Sequence, residues 1–204
     1  MKPGWLFCAA LAAAPVSATA QTFVSCTKTE RGQVHAARER AEVMTLAATQ
    51  AIGPNRAFRR WFGPYTPSAG ETVRRNLKRI VTGLQPEKLE AQCVDNGFDL
   101  CAPDTFAFVD IDDAYVVFLC PSFFEMDTLK GLTQSTLADG NGTRAGTLIH
   151  EVSHFTVIAG TEDHCYARDT CSAMARSDPA DALENADNYQ YFVEDVAYFG
   201  LAAP

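Results

Sequence analysis

Past its first twenty residues the sequence has no apolar run long enough to cross a bilayer core of about 30 Å, which excludes a helical spanning segment there. It has no internal repeat and no low-complexity stretch, which excludes a solenoid or a compositionally biased linker. Positive charge is also short. The 17 Lys and Arg stand against 25 Asp and Glu, for a net charge of −8. That balance repels a phosphate backbone, so nucleic acid is excluded as a partner, and cationic molecules are weakly favoured.

What is present begins with an export pattern. Lys2 supplies a positive start, Trp5–Ala14 forms a short apolar core, and Ala18-Thr19-Ala20 has the small-x-small form of a cleavage site. Residues 1–20 are therefore expected to be a signal peptide, and residues 21–204 one folded domain that is secreted, periplasmic or extracellular. No membrane contact is expected after cleavage, and the domain is expected to act as a monomer. Cys8 leaves with the signal, and Cys26, Cys93, Cys101, Cys120, Cys165 and Cys171 remain. An even number in an exported chain reads as three disulfides, although count and spacing leave the pairing open.

Periodicity divides the chain into helical ends and a β-rich middle. Val34, Ala37, Ala41, Met44, Ala48 and Ile52 recur at steps of three and four, predicting a helix over residues 27–52 that stops at Gly53-Pro54. A Trp61-Phe62-Gly63-Pro64-Tyr65 turn should follow, its aromatics serving as core anchors. Val73, Leu77, Ile80, Val81 and Leu84 form the apolar stripe of a second helix predicted over 69–83, with Arg74, Arg75, Lys78 and Arg79 on its solvated face. Aromatic and β-branched residues at 105–111 and 115–120, with Asp112-Asp113 between them, predict a hairpin closed by Pro121. The polar stretch 132–142 ends in the sequon Asn141-Gly142-Thr143. Helices are then predicted over 143–158 and 180–199, separated at Gly160-Thr161.

The third predicted helix carries His150-Glu151-Val152-Ser153-His154. Positions four apart lie on one helix face, so two imidazoles can aim at one ion. Zn–N bonds of about 2.0–2.1 Å suit that arrangement, and Glu151, pointing beside the first ligand, can reach a water instead of the metal. The apolar flanks Leu148, Ile149, Val152 and Phe155 bury this stretch, where unpaired ionisable groups are costly. A catalytic zinc needs a third protein ligand and an open position. His35 is far upstream, while Asp163 and His164 both lie close by.

The run Gly146–Thr156 followed by Gly160-Thr161-Glu162-Asp163-His164-Cys165-Tyr166 resembles the aspzincin, or deuterolysin, family of zinc metalloendopeptidases. The run Asn185-Ala186-Asp187-Asn188-Tyr189-Gln190-Tyr191-Phe192 is similar to the end of that family's peptidyl-Lys branch. The resemblance implies a zincin-like α+β fold, mostly helical, with a small antiparallel β-sheet beside the active-site helix. It implies one Zn2+ per chain held by His150, His154 and Asp163, with Glu151 as general base and Tyr166 as oxyanion donor. It also implies the disulfides Cys26–Cys93 and Cys101–Cys120, leaving Cys165–Cys171 as the local pair.

The implied activity is hydrolysis of protein or peptide substrates, with Asp187 and Gln190 lining the pocket for a Lys just after the cleaved bond. Two departures bear on this. Gln190 stands where the branch has Glu, which halves the pocket's charge. Ala167 stands where the family has Gly, and would be strained if that backbone needs positive φ. The competing expectation is a secreted zinc-binding module without activity, which Glu151 argues against, since a structural site has no use for a base.

Overall fold

The computed structural model describes residues 21–95, 97–126, 128 and 142–199. The predicted signal peptide and Asn141 of the sequon lie outside the described residues. In chain order the elements are β1 Thr22–Val24, α1 Lys28–Gln50, α2 Arg56–Phe62, α3 Pro67–Gly83, β2 Glu90–Cys93, β3 Ala107–Val109, β4 Val116–Leu119, α4 Pro121–Glu125, α5 Arg144–His154, α6 Arg168–Ser177, α7 Pro179–Glu184 and α8 Ala186–Phe199. Helix dominates, and a four-stranded sheet of order β1-β2-β4-β3 stands beside α5.

Local chemistry fixes the helix starts. Thr27 and Glu30 form a reciprocal capping box at α1, satisfying two orphan N–H groups. Asn55, Thr66 and Thr143 accept from the first turns of α2, α3 and α5, and Pro67 sits where α3 needs no N–H. The predicted apolar face of α1 is buried along its whole length, and on the α3 stripe Val73, Leu77, Ile80 and Leu84 are buried while Val81 is half-buried. These faces meet α5 and α8, and Phe58, Phe62, Tyr65, Tyr189 and Phe192 interlock where α2 joins them. Each such ring pair adds roughly 0.5–1.5 kcal/mol beyond the area it buries. The expected Trp61-Phe62 anchors are thus core residues, but they end a short helix, and Gly63 makes the turn at φ 75°.

The zincin-like α+β class holds, with one correction: the sheet is mixed. β3 and β4 form the predicted antiparallel hairpin, pairing Phe108 with Phe118, whereas β1 and β4 both run parallel to β2. A parallel pair needs a long crossover, and α1 to α3 supply it between β1 and β2. Ala91, Val117, Leu119 and Ala107 turn inward from the sheet to the core. β3 is left at the edge, facing the cleft described below. Cys26–Cys93 ties β1 to β2, and Cys101–Cys120 ties the approach to β3 to the end of β4. The third bridge is Cys165–Cys171.

Two helix boundaries differ from the periodicity. α5 stops at His154, not Ile158, because Phe155 leaves helical geometry at ψ 127°. Val157 and Ile158 follow in a turn, and Ile158 still packs in the core, which is why the apolar pattern ran on. The predicted 180–199 helix is two helices broken at Asn185, a wholly buried residue whose side chain serves the neighbouring loop.

Candidate metal centre

The early end of α5 is what assembles the site. Its last carbonyls are taken by the returning chain: Thr161 N–H donates to Ser153 O, and Gly160 at φ 60° makes the bend. The turn carries Asp163 back over the helix terminus. His150 Nε2 lies 3.3 Å from Asp163 Oδ1, His154 Nε2 lies 3.5 Å from Asp163 Oδ2, and the two Nε2 atoms are 3.1 Å apart. One ligand atom from each of the three residues falls within 4.8 Å of the others.

These residues fit zinc. Tetrahedral bonds of about 2.0–2.1 Å separate donor atoms by roughly 3.3–3.4 Å, the spacing seen here. The tautomers fit as well. His154 Nδ1 is 2.8 Å from Thr161 O, and a carbonyl can only accept, so Nδ1 carries the proton and Nε2 presents its lone pair. His150 Nδ1 is 2.8 Å from Asp187 Oδ1, which orients that ring the same way. Burial alone would push the His150 imidazole down. The Asp187 hydrogen bond and the charges of Glu151, Asp187 and Asp163 outweigh it and raise the pKa to about 9, so a cation at Nε2 competes with a proton. His154 is lowered, by burial and by the neighbouring His150.

Glu151 is 5% exposed and lies among these groups. Burial raises its carboxyl to about 7, with His150 opposing the shift and Asp163 and Asp187 adding to it. A carboxylate poised near neutrality can take and return a proton in one cycle. Tyr166 is 61% exposed, its ring centroid 6.5 Å from that of His150. Its phenol is raised by burial, then by its hydrogen bond to Asp163, so it keeps its proton as a donor.

The loop bearing Asp163 and Tyr166 is held from several directions. Glu162 bridges to Asn185, and Asn185 Oδ1 accepts from the backbone N–H groups of His164 and Cys165 at 2.8 and 3.0 Å. Cys165–Cys171 closes the segment onto α6. Ala167 has φ 67° and ψ 149°, a region that favours glycine, and its N–H donates to Asp187 Oδ2 at 3.1 Å. The strain foreseen for an Ala at this position is therefore present.

Asp187 and Gln190 do share one face of α8 and both line the cleft, a cavity of about 730 Å3. Asp187, however, is 5% exposed and spends one oxygen on His150 and the other on Ala167. Periodicity could show that the two positions share a face, but not that an imidazole would claim the first. Sequence reasoning also missed a buried network behind the loop. Arg168 Nη2 donates to Glu194 Oε2 at 2.7 Å and Nη1 to Asp195 Oδ1 at 2.6 Å. Charged residues inside an otherwise apolar helical stripe were the available signal.

The family model described as lysine-specific metallo-endopeptidase, the aspzincins, matches residues 47–194. An extracellular protease of Aeromonas hydrophila is 32% identical over 88% of this chain, and the chain spans about half of that protein's length, 49%. A peptidyl-Lys metalloendopeptidase of Pleurotus ostreatus is 33% identical over 85% of this chain and 96% of its own length. A solved zinc peptidase from Grifola frondosa superposes with a TM-score of 0.71 at 28% identity, covering 84% of this chain and 98% of that one. The match takes in both helices that frame the cleft and the loop between them, and on that ground this chain belongs to the aspzincin family.

Proposed function

We propose that this protein is a secreted zinc-dependent endopeptidase. The observation that carries the reading is the convergence of His150 Nε2, His154 Nε2 and an Asp163 oxygen at one point, with Glu151 beside them and an open cleft in front. His150, His154 and Asp163 would hold the ion. Zinc, when bound, supplies Lewis acidity that lowers the pKa of water to about 7 and polarises a carbonyl oxygen.

The chain's own residues do the rest. Glu151 accepts the proton of the attacking water and passes it to the leaving amine. The Tyr166 hydroxyl donates to the carbonyl oxygen as negative charge grows there. Asp187 and Thr161 O fix the two imidazoles through their Nδ1–H groups, so that neither ring reorients during the cycle. A structural zinc site is closed by four protein ligands and needs no base. Three converging donors among the described residues and a buried glutamate with a pKa of about 7 favour catalysis over a binding module.

Protein or peptide substrates follow from this activity. Secretion is supported by the N-terminal export pattern and by the relative named an extracellular protease. The names of the peptidyl-Lys relatives support a preference for Lys, and the resemblance of residues 185–192 to that branch implies its place directly after the cleaved bond. The pair at 187 and 190 supplies little free charge for it here, since Gln190 is neutral and Asp187 is engaged.

Casein digestion with and without a chelator, beside Glu151→Ala, tests the reading. Chelation should abolish activity and zinc should restore it. Glu151→Ala should lower kcat by roughly 10²- to 10⁴-fold while still binding about one zinc per chain. A chelated protein or a Glu151→Ala variant that digests casein at the original rate would refute it.

A further inference from the structure

The cleft is lined by four carboxylates: Asp104, Glu151, Asp163 and Asp187. Three are committed. Glu151 is buried beside His150, Asp163 faces both imidazoles, and Asp187 is divided between His150 and the Ala167 N–H. Asp104 is different. It is exposed, and its carboxylate has no hydrogen bond or ion pair among the described residues.

Its place along the cleft gives this significance. Ile111, beyond β3, takes a hydrogen bond from Thr156, so that end of the edge strand lies past the C-terminus of α5. Residues 104–106 lie at the opposite end. Phe106 O accepts from Cys120 N–H and Thr105 O from Ser122 Oγ, which sets this segment against the start of α4. That is the N-terminal side of α5, where Arg144 donates to Phe124 O and Thr147 to the sulfur of Met126. Thr147 and Gln190 line the cleft at this same end, and Gln190 packs against Gly146 on the first turn of α5. The Asp104 turn is anchored by Cys101–Cys120 and by Thr105 N–H donating to Ala102 O. A carboxylate on a tethered turn therefore faces, across the cleft, the pocket wall that Gln190 leaves uncharged.

We propose that Asp104 is the specificity-determining residue for a cationic side chain directly after the cleaved bond. The proposal rests on the endopeptidase reading above and on Thr147 and Gln190 bordering the pocket for that side chain. A Lys side chain entering there places its apolar stem along the wall formed by Phe106 and its ammonium at the solvent-facing rim, where Asp104 stands. Because the acid is exposed, the attraction is modest and is screened by salt, which distinguishes it from a buried counter-charge.

The experiment uses the mature enzyme with zinc and two quenched peptides, identical except for Lys or its uncharged isostere norleucine directly after the scissile bond. The readout is the ratio of kcat/KM for the two. Wild type should prefer Lys by roughly threefold to tenfold at low salt, the scale of an exposed or partly desolvated charge pair. Asp104→Asn should bring the ratio close to one, Asp104→Lys should invert it, and Asp104→Glu should restore it. The wild-type ratio should decline between about 0.02 and 0.5 M salt, and that of Asp104→Asn should not. A ratio unmoved by Asp104→Asn in an enzyme that prefers Lys overturns the assignment of Asp104 and leaves the endopeptidase reading intact. A wild type that cleaves both peptides equally overturns the assignment and the Lys preference. A wild type that cleaves neither, nor casein, overturns the endopeptidase reading and this proposal with it.

Discussion

Arg168 offers the sharpest test of what holds the site together. Its side chain is 2% exposed and its partners Glu194 and Asp195 are wholly buried. The guanidinium also lies against two rings that pack on each other, its carbon 4.6 Å from the Tyr191 ring centroid and 5.4 Å from that of Trp61. Arg168→Leu would keep apolar bulk but strand two carboxylates. Asp195 would retain the Trp61 Nε1–H at 2.8 Å and Arg60 at 3.6 Å, and Glu194 the Thr143 N–H and hydroxyl, each at 3.0 Å, with Gln190 Nε2 at a long 3.5 Å. Breaking a buried pair from one side costs about 3–5 kcal/mol. At roughly 2–4 °C per kcal/mol for a domain of this size, Tm should drop by about 6–20 °C. The exposed pair Arg74–Glu71, at 3.2 Å, is the control, and its removal should cost under about 1 kcal/mol. Urea unfolding with disulfides oxidised and zinc saturating would measure both. Burial already raises the Glu194 carboxyl and Arg168 opposes that rise, so in the variant the deficit should shrink as pH falls and Glu194 protonates. Adding Glu194→Gln and Asp195→Asn should recover much of the loss. An Arg168→Leu protein within about 1 kcal/mol of wild type, or a triple variant no better than the single one, would refute the reasoning.

Two other substitutions separate strain from orientation. Ala167→Gly relieves a φ of 67° at ψ 149°, and after the entropy glycine gives back it should raise the unfolding free energy by about 1 kcal/mol in the same urea assay. Asp187→Asn removes the charged acceptor behind His150 and should weaken zinc binding by roughly 10- to 100-fold in competition with a chromophoric chelator. If Asp187 serves the imidazole and not the substrate, the Lys-to-norleucine ratio in that variant should stay at the wild-type value once zinc is saturating.

The sequence was most legible where one residue type has one use. His150 and His154, four apart on an apolar helix, could be placed on a common face from spacing alone, and the structure brings their Nε2 atoms to 3.1 Å. The long faces of α1 and α3 were legible for the same reason, since period 3.6 over five or six residues has no rival explanation. β1 and β2 were not, because three or four residues cannot display an alternation, and their partners lie dozens of positions away. α6 was missed because it begins without a side-chain cap, after a strained Ala167 where a capping Ser or Asp would have marked it. The end of α5 was misplaced because Ile158 is buried from a turn as fully as it would be from a helix.

The face of α8 shows how a correct local reading can leave out a second role. Positions 187, 190 and 194 fall on one stripe, and each meets α5 at a different level. Asp187 holds the His150 ring, Gln190 walls the cleft, and Glu194 accepts from the backbone and hydroxyl of Thr143 at the helix start. That contact requires α5 to offer no side chain where α8 crosses it, and a Cβ on Gly146 would overlap Glu194 Oε1. Gly146 is therefore best understood as the close-approach point of two helices. Glu194, through Arg168, connects the start of α5 to the segment that follows Tyr166. The three converging donors thus sit at the C-terminal end of a helix whose N-terminal end is fixed to the same loop that delivers the third of them. A displacement of α8 would move His150, the pocket wall and the Tyr166 segment together, so the stripe positions the site as one body.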